Sequence, residues 1–477
     1  MSRETAIANA QAMVDDGRLL DLLSRRVAWP TESQEPARGP ELGRFLTEEM
    51  VPALEAMGFE NQILPNPKPN PKMAEGPFLV ARRVEGEGLP TVLVYGHGDT
   101  VRGMEGRWRE GLEPWKIVVE GDRWYGRGTA DNKGQYTINL EALEQVRLLR
   151  GGKLGFNVTL LLEMGEEVGS PGLQEFCALH GELLKADVLI ASDGPRLAAS
   201  RPTLFLGSRG AFNMTLRVNA RERGYHSGNW GGVIRNPATI VANAIACLVD
   251  GRGRLQVEGL NPPPMSNSVR AAIHDLPVGG GETDPEIDVD WGTDGLNPPE
   301  RLFGWNTLEV LAMGSGDPAA PVNAVPPNAT ATIQLRYVAG TDAANILPAV
   351  RKRLDECGFE GVELVAARGE AAPATRLDPD TPWVRWAVAS MSRTMGAAPA
   401  VLPNIGGSLP NHCFADVLGL PTLWVPHSYA ACAQHAPDEH MLGSIAREAM
   451  GIMAGLFWDL GEAGVPARSL SKSGGHA

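Results

Sequence analysis

The chain reads as an α/β protein whose mainly parallel sheet is interrupted by an inserted α+β segment. Three observations carry that reading. Near-continuous apolar runs, such as Thr91-Val92-Leu93-Val94-Tyr95 and Val158-Thr159-Leu160-Leu161-Leu162, have the pattern of strands buried on both faces. Stretches of helical spacing alternate with these runs, as in layered α/β sheets. Near residue 206 the apolar period changes to two, the signature of half-exposed antiparallel strands.

The elements follow in order. Residues 40–58 carry Leu42, Phe45, Leu46, Met50, Leu54 and Met57 at helical spacing, with Gly58 placed to end the helix. The Thr91–Tyr95 run comes next and ends on His97-Gly98-Asp99. A second amphipathic helix is expected over 133–149, just after Asp131. The run at 158–162 leads to Glu166-Glu167, that at 186–191 to Asp193, and that at 421–425 towards His435. Between them, residues 211–218 alternate, a helix is expected at about 237–249, and a Pro/Gly-rich stretch at roughly 259–300 reads as irregular. Strands near 307–313 and 329–338, a helix near 343–357 and a strand near 360–366 complete a ferredoxin-like order. The boundaries expected are a discontinuous catalytic domain of residues 1–205 and 373–477, with 206–372 inserted. The tail from Ser469 is small and polar, and is expected to fray.

Composition narrows the function. At 477 residues, two or three domains are expected. A formal charge of −14, without a basic tract, argues against a nucleic-acid surface. No run approaches the roughly 20 apolar residues of a membrane span. The opening Met-Ser-Arg-Glu-Thr lacks the apolar core of a signal peptide. Five dispersed cysteines read as reduced thiols, so a cytoplasmic protein is expected.

The polar residues at the ends of the apolar runs carry the chemistry. In open α/β sheets the active crevice lies beyond the carboxyl ends of the strands, so groups distant in sequence converge there. Taken singly, each has an ordinary alternative. His97-Gly98-Asp99 could be a loop histidine with a capping aspartate. The segment around Asp131 could be a tight turn opening a helix. Asp193 could cap a helix, and His435 could be a surface residue. The pair Glu166-Glu167 says more, because adjacent carboxylates after a buried strand repel each other and call for a compensating cation. No Gly-x-Ser-x-Gly elbow is present.

Together these segments resemble the co-catalytic dizinc metallopeptidases that include aminoacylase, acetylornithine deacetylase, carboxypeptidase G and the carnosinase-like dipeptidases. The resemblance rests on six segments: Gly96-His97-Gly98-Asp99-Thr100-Val101, the run Gly126 to Gly134, Glu166-Glu167-Val168-Gly169-Ser170, Asp193, Gly406-Gly407-Ser408-Leu409-Pro410, and His435-Ala436-Pro437-Asp438-Glu439. Asp438 stands where the family usually has asparagine. The fold implied is a zinc-peptidase catalytic domain with an inserted lid and dimerisation domain. The cofactor implied is two Zn2+ per chain, although Mn2+ or Co2+ suits the same ligands. In the implied roles Asp131 bridges the metals, His97 and Asp193 hold one, and Glu167 and His435 hold the other. Asp99 orients His97, and Glu166 is the general base.

From the inserted domain, His226 in Gly224-Tyr225-His226-Ser227-Gly228 resembles a histidine that dimeric relatives lend to the partner's active site. Arg336 resembles an arginine that binds a substrate carboxylate, with an exposed strand arginine as the alternative. Asn323 aligns with a polar residue that contacts substrate; Gly407 and Ser408 would present a backbone amide and a hydroxyl to the substrate, or form only a loop. His180, His274, His412, His427, His440 and His476 match no motif and read as structural or surface residues. The resemblance is nearest to the carnosinase-like dipeptidases. It implies a homodimer, joined through the inserted domain, that cleaves an amide bond in a dipeptide or small peptide. An N-acyl- or N-carbamoyl-amino-acid amidohydrolase is the alternative. A catalytically silent binding protein is a more remote one, since all six ligand and base positions are retained.

Overall fold

A computed structural model describes residues 2–280, 284–366 and 372–466. The tail from Ser469, with His476, lies outside them. The chain divides into two compact units. The first comprises Met1–Leu206, Leu377–Leu402 and Pro410–Ala477; the second comprises Gly207–Arg376 and Pro403–Leu409. The second unit therefore takes in a short return segment that the sequence reading had left with the first.

The first unit is built on an eight-stranded sheet. Its order is Glu60–Leu64, Phe78–Arg83, Asn157–Glu163, Thr91–His97, Val188–Ala191, Thr422–Trp424, Thr203–Phe205, Ala400–Leu402. The strand Thr91–His97 pairs in parallel with both Asn157–Glu163 and Val188–Ala191, and Thr422–Trp424 pairs in parallel with Val188–Ala191. These strands are buried along almost their whole length, which is why they read as unbroken apolar runs. The helix Lys133–Leu149 lies against the sheet, with every residue from Lys133 to Leu143 buried. Gly96 permits that approach, since a Cβ there would sit 2.8 Å from the Cβ of Tyr136. The long apolar helix Gly443–Leu460 packs on Lys133–Leu149, Arg3–Asp15 and Pro382–Met395. The expected 40–58 helix forms as Gly39–Arg44, Phe45–Met50 with π geometry, and Val51–Ala56, ending before Gly58 at φ 80°.

A three-stranded sheet of Val118–Glu120, Arg123–Tyr125 and His440–Leu442 was not legible in sequence. It corrects the expectation that every ligand leaves a strand of the main sheet. Asp131 follows this small sheet, and His435 lies just ahead of its last strand rather than at the exit of Thr422–Trp424.

The second unit holds a four-stranded antiparallel sheet in the order Thr307–Gly314, Asn328–Tyr337, Gly210–Asn219, Glu363–Ala366. The helices Pro237–Leu248 and Ile346–Glu356 bury Val241, Ala244, Leu248, Ile346, Val350 and Leu354 with this sheet in one apolar core. The stretch expected to be irregular contains two short helices, Asn267–Ile273 and Pro298–Gly304. Their start signals are local: Ser266 Oγ accepts from the Val269 amide, and Asn297 with Glu300 forms a capping box. Among the described residues no helix is long and apolar enough to cross a membrane.

Candidate metal centre

The first unit brings His97, Asp99, Asp131, Glu166, Glu167, Asp193 and His435 together. The carboxylate of Asp131 lies between two histidines. Its Oδ1 is 3.0 Å from His97 Nε2, and its Oδ2 is 2.9 Å from His435 Nε2. Around the first oxygen, Asp193 Oδ2 lies 3.6 Å from His97 Nε2. Around the second, Glu167 Oε2 lies 2.9 Å from His435 Nε2. The donors thus sort into two sets sharing one aspartate. His97, Asp131 and Glu167 bring ligand atoms within 4.8 Å of one another. Glu166 Oε2 stands 4.0 Å from His97 Nε2, and its side chain is 19% exposed.

Asp99 does more than face His97, where Nδ1 is 3.4 Å from its Oδ1. Its two carboxylate oxygens accept from the backbone amides of Glu166 and Glu167, at 3.2 and 3.1 Å. The first amides of the Glu166–Val168 turn have no partner within the turn itself, and the buried Asp99 carboxylate takes them and fixes the turn that carries both glutamates.

The electrostatics show what such a cluster lacks. Burial pushes Glu166 well above the usual carboxylate range, and Asp193 and Glu167 add to the shift. Burial, with the charge of Asp131, raises both Glu167 and Asp193 to about 7. Burial would raise Asp131 too, but the hydrogen bonds from His435 and His97 outweigh it and hold it far below the usual range. His435 is pushed up to about 10 by its hydrogen bonds to Asp131 and Glu167. Glu167 Oε1 and Asp193 Oδ2 are buried without a hydrogen-bond partner. Orphaned carboxylate oxygens beside two imidazoles fit divalent cations: the donor set is the one such ions take, and their charge offsets the repulsion.

The second unit holds the remaining candidates. His226 is exposed at the end of a short ribbon with Ala324–Val325, and its Nδ1 accepts from the Gly228 amide at 3.2 Å. Asn323 is exposed and its carbonyl accepts from the Ser227 amide at 2.9 Å, so the His226 and Asn323 segments are neighbours. Arg336 Nη1 donates to Ser408 Oγ at 3.2 Å, which brings those two together beside Gly407. Sequence reasoning missed Arg209, which is 4% exposed. Its Nη2 donates to the Arg336 carbonyl, and its own carbonyl accepts from Ser408 Oγ. It was silent because it holds backbone rather than sitting in a motif. Of the other histidines, His427 is wholly buried on Ser192 and Asn139, and His274 is exposed.

A largely parallel sheet with a carboxylate–imidazole cluster beyond its strand ends is the architecture of a metal-dependent hydrolase. The comparisons narrow the class. The chain belongs to peptidase family M20/M25/M40, whose pattern matches residues 93–459. It is 29% identical to the cysteinylglycine-S-conjugate dipeptidase of Corynebacterium striatum over 334 residues, covering 67% of this chain and 70% of that protein. Its fold is similar to the M20 metallo-carboxypeptidase Sso-CP2 from Sulfolobus solfataricus, with a TM-score of 0.74 and 24% identity over 93% of this chain and 99% of that one. It is also similar to human carnosine dipeptidase 1, with a TM-score of 0.73 and 19% identity over 97% and 99%.

Proposed function

We propose that the protein is a dipeptidase that hydrolyses the amide bond of a dipeptide or small peptide, using two divalent metal ions and a glutamate base. One observation carries the reading: the two oxygens of Asp131 face different histidines, each with its own further carboxylate. In this proposal His97, Asp131 and Asp193 hold one ion, and His435, Asp131 and Glu167 hold the other. Zinc is the ion assigned, with manganese or cobalt as substitutes. Bound cations would supply Lewis acidity to the scissile carbonyl and lower the pKa of the attacking water.

The chain's own residues supply the rest. Glu166 takes a proton from the attacking water and hands it to the departing amine nitrogen. Asp99 holds the turn that presents Glu166 and Glu167. Arg336 and Ser408, held together at 3.2 Å, are assigned the free carboxylate of the substrate. Asn323 and Gly407 are assigned lesser contacts with it. His226 is assigned the developing oxyanion, in a homodimer formed through the second unit. The five free thiols support a cytoplasmic location.

Dipeptide cleavage is favoured because the Corynebacterium striatum relative is named as a dipeptidase and the human structural relative as a carnosine dipeptidase. The test is a panel of dipeptides and of N-acetyl, N-succinyl and N-carbamoyl amino acids, assayed on metal-loaded enzyme. Dipeptides should be turned over fastest. If an N-acyl or N-carbamoyl substrate led the panel, the amidohydrolase alternative would replace this reading.

A further inference from the structure

Glu439 is 1% exposed and lies four residues beyond His435, yet its side chain serves another part of the chain. Its Oε1 accepts from the backbone amides of Gly128, Ala130 and Asp131, at 3.0, 2.9 and 3.0 Å. Its Oε2 accepts from Arg127 Nη1 at 2.7 Å, and Arg127 is itself fully buried. The Glu439 carbonyl accepts from the Gly126 amide at 2.9 Å. One residue thus gathers the whole turn that presents Asp131. Gly128 allows that turn its φ of 85°.

The loop of residues 432–440 also needs a clamp. It holds three non-glycine residues in the left-handed region: Ala433 at φ 56°, His435 at 62° and Asp438 at 64°. Such residues are strained and persist only when their surroundings over-determine them. The loop is closed by the His440 amide on the Cys432 carbonyl, at 2.9 Å. Asp438 Oδ1 takes the Arg109 amide at 2.9 Å, an acceptor role that asparagine could fill equally. Glu439 ties this closed loop to the turn of Asp131.

The geometry points to Glu439, with Arg127, as a positioning pair that locks the His435 loop to the Asp131 turn, so that the two metal sites form and fail together. The inference rests on the reading of Asp131 and His435 as metal ligands. Glu439 touches neither metal donor atoms nor substrate. It acts through backbone amides that no other group replaces, because three buried N–H groups and a buried guanidinium would lose their acceptor together.

Glu439→Gln keeps the shape but turns an amide N–H towards either three N–H donors or a guanidinium. The test combines zinc affinity, by competition with a chelator, with amide hydrogen exchange on metal-free protein. Zinc affinity should fall about 10–100-fold for both equivalents in step, the usual loss when a group supporting metal ligands is removed. Exchange should quicken in both the 126–132 and 432–440 segments, while KM at saturating zinc stays unchanged. Affinity within about twofold of wild type, or loosening of one segment alone, would overturn the coupling. If Glu439→Gln fails to fold, Arg127→Lys is read instead. It leaves the amide contacts in place and should give a smaller loss of the same sign in both segments; unchanged affinity there would also overturn the coupling. Asp131→Ala is run in parallel. If it retained a full complement of zinc, the metal reading itself would fail, a result distinct from failure of the coupling.

Discussion

Replacing Glu163 by Gln should change how stability depends on pH, by an amount the structure sets. Glu163 ends the strand Asn157–Glu163 and is 1% exposed. Its Oε1 accepts from Tyr95 Oη at 2.5 Å and from Ser170 Oγ at 2.9 Å. Burial outweighs these hydrogen bonds and pushes its pKa from the ordinary 4.5 up to about 7. A carboxyl that holds its proton more tightly when folded costs nothing below pH 4.5. Its cost grows as pH rises from 4.5 to 7 and is full above 7. At 1.36 kcal/mol per unit, the shift corresponds to about 3 kcal/mol. Gln has the same shape, can still accept both hydroxyls and does not titrate. On metal-free protein, Glu163→Gln should therefore gain about 3 kcal/mol relative to wild type between pH 4.5 and 8. Two units make a single global unfolding transition unsafe, so the measurement is local. Native-state exchange at Gly98, whose amide donates to the Glu163 carbonyl at 2.9 Å, reports this strand end. Comparing the two proteins at each pH cancels intrinsic exchange chemistry. A wild-type-to-variant difference that stayed flat across this range would refute the argument.

Three further outcomes follow from the proposed roles. Glu166→Gln should lower kcat about 10²–10⁴-fold and leave metal content unchanged by mass spectrometry, because the proton carrier is lost but the ligands are not. Near-normal turnover would remove Glu166 from that role. Asp131→Ala should lose more metal than Asp193→Ala, since each Asp131 oxygen serves one donor set; equal loss in the two would count against bridging. His226→Ala and Glu166→Ala, each inactive, should recover about a quarter of wild-type activity when mixed, because half of randomly assorted dimers are mixed and each has one intact site. No recovery after verified subunit exchange would place the histidine's action within its own chain.

The sequence was most readable where burial imposes a simple pattern. Asn157–Glu163 and Val188–Ala191 lie inside a sheet covered on both faces, so their runs of Val, Leu and Ile stand out. The helix Lys133–Leu149 has the bounds its periodicity gives. The residues named around Asp131 do converge. What was hidden depends on partners distant in sequence. The strands Val118–Glu120 and Arg123–Tyr125 are three residues each, too short to show a period. Glu439 and Arg127 looked like motif flanks because their partners are backbone amides and each other. The capping box at Asn297 and Glu300 was visible in principle, but the prolines around it masked a helix start as a loop. The segment Pro403–Leu409 joins the second unit through backbone bonds such as Ile405 to Gly207, which no composition signal marks.

The bond between the Asp131 amide and Glu439 spans 308 residues. During synthesis at about 5–20 residues per second, roughly 15–60 seconds separate the two residues as the chain emerges from the ribosome. For most of that interval the nascent chain carries His97, Asp131, Glu166, Glu167 and Asp193 but not the 432–440 loop. In that order of synthesis the His435 loop can reach the Asp131 turn only after every strand of the main sheet has been made.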